Sequence, residues 1–181
     1  MKKLLSIILV ITAAVAMLFT GCTQANEPSS TKDVSLSEIH QAVKDAYGED
    51  YYPDSSYPED TFFEQFGINP DLVEEYIAEC PQISVNIDTF VAVKAVSGQG
   101  ETVENALNQY RDTLQDSAMQ YPMNRPKIAA SQVIRHGDYV FFVMLGQVPA
   151  DVEESGDEAA IEKSAKEQVQ IGVQVIDKAF Q

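Results

Sequence analysis

The chain has 181 residues, with 12 Lys and Arg against 28 Asp and Glu for a formal charge of −16. No basic cluster follows the first three residues, so the cationic footprint that grips phosphate backbones is missing and nucleic acid is excluded as a partner. Two Cys and two His, far apart at positions 22, 40, 80 and 136, lack zinc-ligand spacing and are too few for iron–sulfur sites or a disulfide framework, while 45% hydrophobic residues suffice for one folded domain.

Lys2 and Lys3 precede an apolar run over residues 4–19, and the small residues Thr20 and Gly21 follow it. This order reads as a secretory signal over residues 1–21, because a run of 16 falls short of the roughly 20 residues that span ~30 Å of hydrocarbon. Phe19-Thr20-Gly21-Cys22 resembles the lipobox of bacterial lipoproteins, where a Cys after Gly or Ala takes a diacylglyceryl group and becomes the first mature residue. Phe19 stands where Leu is usual. The resemblance implies lipidation of Cys22 and a cell-membrane anchor facing outside the cytoplasm. Loss of residues 1–21 leaves 10 basic against 28 acidic residues, or −18. Anionic headgroups repel such a body, so attachment rests on acyl chains, two of which hold where one is marginal. Residues 22–34 lack apolar periodicity and read as a flexible tether before a single domain over residues 35–181. Cys80 is then a lone thiol, of a kind more often buried than reactive.

Ser35-Leu36-Ser37-Glu38 has capping-box spacing, and Leu36, Ile39, Val43 and Tyr47 recur at helical intervals up to Gly48. After a loop over residues 49–58, Pro58, Glu59 and Asp60 suit the first turn of a short helix that stops at Gly67, and Asn69-Pro70-Asp71 starts another helical turn. Residues 73–83 fit both periods. The β-branched and aromatic residues 89–93 need an antiparallel partner, which favours a strand there with residues 84–88 as the turn. Val103, Leu107, Tyr110, Leu114 and Tyr121 mark a long helix from Thr102 that ends by Pro122. Beyond an irregular segment at 122–126, strands over 129–135 and 139–146 flank a Gly137-Asp138 hairpin turn. An acidic loop over 149–157 leads into a last helix carrying Ile161, Ala165, Val169, Val173, Ile176 and Phe180.

The chain thus reads as ββα twice, with residues 88–93 echoing 138–143, an echo that chance explains as well as a repeat does. The expected fold class is α+β: a two-layer sandwich with a four-stranded antiparallel sheet in a ββαββα pattern, long helices on one face and added N-terminal helices. Its core should include Val91, Val93, Leu107, Tyr110, Leu114, Phe142, Ile161, Val169, Val173 and Ile176. Val73-Glu74-Glu75-Tyr76, residues 88–95, Ala106-Leu107 to Arg111, and residues 137–143 together resemble family 4358 of domains of unknown function, which occurs in bacterial lipoproteins. The resemblance spans roughly residues 36–180, implies the same ββαββα pattern and carries over no catalytic or binding residue.

Gly98-Gln99-Gly100 lies where a dinucleotide fingerprint would, but Val103 replaces the third Gly and the antiparallel context favours a plain turn. His136, between Arg135 and the Gly137-Asp138 turn, could act as a base with nearby carboxylates, which supports an alternative reading as an extracellular hydrolase or metal-dependent enzyme. No nucleophile motif accompanies it, and a solvated hairpin tip is the simpler reading. His40 borders the apolar stripe of the first helix. Two acidic regions, Glu49 to Asp60 and Asp151 to Glu158, offer oxygen ligands for Ca²⁺ without EF-hand spacing, so neither a metal nor a cofactor is expected. Tyr51, Tyr52 and Tyr57, with Phe62, Phe63 and Phe66, either pack a core or line a partner groove. In the irregular segment Arg125 is a rare positive charge, and Tyr121, Arg125 and His136 form the small-ligand candidate. The expected function is a membrane-anchored, non-catalytic binding or interaction domain.

Overall fold

The computed structural model describes residues 32–82 and 85–181. The signal, Cys22, the tether up to residue 31 and turn residues 83 and 84 lie outside the described residues. Helix α1 spans Leu36–Tyr47; the Ser35 side chain accepts the Glu38 amide at its start, and Leu36, Ile39, Val43 and Tyr47 are its buried stripe. After the two-residue strand β1 (Ser55–Ser56), α2 covers Glu59–Phe66 with Pro58 at its N-cap, and a 3₁₀ turn at Pro70–Leu72 is capped by Asn69. The ambiguous run is strand β2, Val73–Cys80, followed by β3, Thr89–Ala95, and helix α3, Gly100–Asp116. Helix α4 (Arg125–Ala130) leads into the hairpin of β4 (Gln132–His136) and β5 (Tyr139–Met144), then α5 (Ala150–Ser155) and α6 (Glu158–Ala179).

The architecture is α+β with an open antiparallel sheet, but the sheet has five strands where four were expected, in the order β1-β2-β3-β5-β4. The fifth strand pairs Ser55 with Cys80 and Ser56 with Glu79; two residues are too short to show an alternation. Nor do the long helices share one face. Val91, Val93, Val140 and Phe142 pack with Phe62 and Phe66 of α2 and Val103 and Leu107 of α3, whereas Phe90, Ala92, Phe141 and Val143 pack with α1 and α6. The sandwich therefore has three layers, and every residue of β5 is buried, the mark of a strand covered on both sides. This also disposes of the repeat. A two-fold axis relating the hairpins would set α3 and α6 on the same face, and they lie on opposite ones.

Three boundaries move. The stretch 129–135 begins as α4, because Pro126 suits a first helical turn, and its strand starts only at Gln132. Helix α3 stops at Asp116, so Tyr121 is not on it. The acidic loop contains α5, closed by the left-handed Gly156. Of the expected core, Tyr110, Leu114 and Ile161 are half-buried and the others are buried.

Because β3 and β5 are antiparallel, Lys94 pairs with Tyr139 at one end of the sheet and Thr89 with Met144 about 17 Å away at the other. The chain enters at the first end. Lys32 Nζ donates to the Ala179 carbonyl at 3.0 Å, the Asp33 carboxylate accepts Tyr139 Oη at 2.6 Å and Lys94 Nζ at 3.1 Å, and the Val34 amide donates to Tyr139 Oη at 3.3 Å. Among the described residues, contact with the domain thus already includes Lys32, ahead of the expected boundary at 35.

Candidate functional site

At the far end of the sheet Asp88 precedes β3 and is fully buried. One of its oxygens pairs with Lys127 Nζ of α4 and lies 3.3 Å from Gln147 Nε2; the other accepts the Gly146 amide at 3.2 Å. Burial raises the Asp88 carboxyl above the usual carboxylate value, and the Lys127 ammonium works against that rise. The pair fastens α4, and with it the 3₁₀ turn Pro122–Asn124, onto the sheet. Asn124 Nδ2 adds a 3.4 Å bond to the Val85 carbonyl across the same gap.

Over this anchor runs a trough. One hollow of about 610 Å³ is lined by Met123, Arg125, Pro126, Glu158, Ile161 and Glu162, and an adjoining one of about 410 Å³ by Tyr52, Asp54, Val85, Lys127, Val148 and Glu153. Met123, Pro126, Glu153 and Ile161 belong to both. Among the described residues the large apolar side chains left exposed are Tyr52, Val85, Val96, Met119, Tyr121 and Met123. Val96 alone follows β3 at the entry end; Tyr52, Val85 and Met123 line the trough, and Met119 and Tyr121 lie on the segment leading to it. A smaller cavity of about 210 Å³ lies behind, where the Tyr57 hydroxyl meets Cys80 and Thr89 and is pushed above its usual value by burial.

The small-ligand candidate does not assemble. Tyr121 is 59% exposed and Arg125 lines the trough, but His136 is at the opposite end of β4, about 13 Å along the strand. Arg135 and His136, as neighbours on a strand, point to opposite faces: Arg135 Nε donates to Glu104 Oε2 at 2.6 Å on α3, whereas His136 Nε2 lies 2.9 Å from Asp177 Oδ1 and stacks on Phe180 on the other side. The Asp138 carboxylate is committed elsewhere, accepting the Gly98 and Gly100 amides at 2.9 and 3.1 Å. It fills the N-terminus of α3, where a phosphate would sit in a dinucleotide site. Gly100 is needed there because a Cβ would come within 2.2 Å of the Gly137 carbonyl oxygen.

The three tyrosines also part company. Tyr51 Oη donates to Glu79 Oε2 at 3.0 Å, and His40 Nε2 reaches the same carboxylate oxygen at 3.0 Å while its ring stacks on Phe90. Tyr57 packs edge-on against Phe66, and Phe62 and Phe66 are buried. Only Tyr52, 46% exposed, reaches the trough. Among the described residues no group of three His, Cys, Asp or Glu side chains is placed to hold a metal ion. No described helix is long and apolar enough to cross a membrane.

Sequence reasoning missed Asp88 and Lys127, placed Ile161 in the core, and named the irregular segment that carries Met123 without singling that residue out. A carboxylate immediately before an apolar strand that is buried on both faces was the available signal for Asp88; its partner, 39 positions later, had none.

A family model described as domain of unknown function (DUF4358) matches residues 46–145, more than half of the chain, and the chain belongs to that family. The match takes in all five strands and α2 to α4, overlaps only the end of α1 and leaves out α5 and α6, so it is narrower than residues 36–180. No curated protein and no solved structure matches the chain.

Proposed function

Starting from its place in the DUF4358 family, we propose that the chain is an extracytoplasmic lipoprotein, held to the cell membrane by acyl chains on Cys22, whose domain binds a partner without catalysing a reaction. The observation that carries the binding reading is the trough: exposed apolar side chains gather there on a rigid anchor, at the end of the sheet opposite the one where the chain enters. An anchor upstream of Lys32 would then present the trough away from the bilayer. Contiguous exposed apolar surface of this kind marks interaction sites.

The test has two arms in cells. Metabolic labelling with a palmitate analogue should mark the wild type and not Cys22→Ala, and the variant should leave the membrane fraction; equal labelling and retention would overturn the anchor. A photo-crosslinking amino acid at Met123 should capture a protein that the same group at Glu74, near the entry end, does not. No difference between the two positions would overturn the binding reading.

A further inference from the structure

We infer that the trough takes a peptide segment of a protein partner that presents apolar side chains flanked by Lys or Arg. This rests on the binding reading above and gives its partner a chemistry. The apolar part of the requirement comes from Tyr52, Val85, Met123 and Ile161, which offer contact surface beside the polar side chains of Asn86, Asn124 and Gln147 in the second hollow. The basic part comes from the rim, where Asp54, Glu153, Glu158 and Glu162 carry four carboxylates. Two cations oppose them. Lys127 is already paired with the buried Asp88, which leaves Arg125. None of the four rim carboxylates has a cation within 4.0 Å among the described residues, so their field is open to a partner. A chain at −16 adds long-range attraction for a basic segment. The same field repels an anionic ligand or an anionic membrane, and it repels a second copy of this chain.

The probe is a fluorescently labelled 12-residue peptide of alternating Leu and Lys, titrated against the full chain purified in detergent, with detergent micelles alone as the blank; a Ser–Lys peptide of the same length and charge is the comparison. The Leu–Lys peptide should bind saturably and at least tenfold more tightly than the Ser–Lys peptide, and its affinity should fall as salt rises. Met123→Glu is informative because it adds a negative charge at a site 69% exposed: general attraction to a basic peptide would increase, whereas occupation of the trough predicts at least a tenfold loss. Reversal of Glu153, Glu158 and Glu162 to Lys should also cost tenfold; if that variant does not fold, as judged by its circular dichroism melt, Met123→Glu decides alone. Equal affinity for the two peptides, or unchanged binding by Met123→Glu, would overturn the inference. A concentration-dependent dimer that Met123→Glu abolishes would assign the trough to a second copy and overturn it too. Peptide failure with crosslinking retained at Met123 would show that the partner's chemistry is wrong; failure of both would remove the binding reading itself.

Discussion

Asp33 and Asp88 hold opposite ends of the same sheet, each against a lysine, and the two carboxyls shift in opposite directions. At the entry end Asp33 is 86% exposed, and the Tyr139 hydroxyl, then Lys94, hold it below the usual carboxylate value. At the far end Asp88 has no exposure, and loss of water raises it despite Lys127. The lesson is that an aspartate–lysine contact has no fixed meaning: in water it is a weak clasp, screened by salt, whereas out of water each partner depends on the other. The first contact can open without unfolding the sheet, whereas the second holds α4 in place as long as both partners stay dry.

The largest effect should come from breaking the far end. Lys127→Met leaves the buried Asp88 carboxylate without its cation, and urea unfolding at neutral pH should show a loss of about 3–5 kcal/mol. Asp88 has a folded value above its ordinary 3.8, so its contribution to stability is present below pH 3.8 and is lost as pH rises through the folded value. The deficit of Lys127→Met should therefore be smallest near and below pH 3.8 and grow upward from there. Replacing both partners, Asp88→Leu with Lys127→Met, should recover most of it; a double variant as unstable as the single one would mean that Lys127 acts through packing and not through the carboxylate.

Next in size is Gly100→Ala at the entry end. The added Cβ would strike the backbone oxygen of Gly137, which cannot rotate away, so the hairpin and α3 must separate at a cost of about 3 kcal/mol, the upper part of the range for overpacking. A loss under ~0.5 kcal/mol would show that this end yields easily and that its stitching by Asp138 is loose.

The smallest effect belongs to Asp33→Asn. Its melting curve should lie close to wild type at low salt and merge with it in 0.5 M NaCl, roughly where screening reaches a few ångströms. The acid dependence has the opposite sign to that at Asp88: a lowered carboxyl contributes above pH 3.8 and loses its contribution as pH falls through its folded value. Carboxyl carbon shifts followed by NMR should place Asp33 below 3.8 and Asp88 above it. Both on the same side would remove the contrast between the ends.

Much of the fold was legible locally. Ser35 and Glu38 around α1, the apolar intervals of α3 and α6 and the Gly137-Asp138 turn all act over a few residues, and each element formed there, although α3 stops at Asp116, short of the Tyr121 that its intervals had included. The aromatic cluster at 62–66 also resolved as core, because helical spacing put Phe62 and Phe66 on one buried face. The candidate site was far less legible. Tyr121 and Arg125 fell at the right end of the molecule, but His136 was grouped with them by chemistry alone, and a strand's length separates it from them.

What the sequence by itself determined is what depends on neighbours along the chain: the helix caps, the strand that an apolar partner demanded, the charge, and the Phe19 to Cys22 resemblance that predicts an anchor. Layering was decided only in three dimensions. A continuous apolar run such as residues 139–144 says that a strand is buried but not what covers each face, and α6 covers the face that α3 leaves bare. Asp88 and Lys127 likewise have no shared periodicity, since an ion pair across 39 residues is set by where the sheet and α4 come together, and that meeting place is what gives the far end its trough.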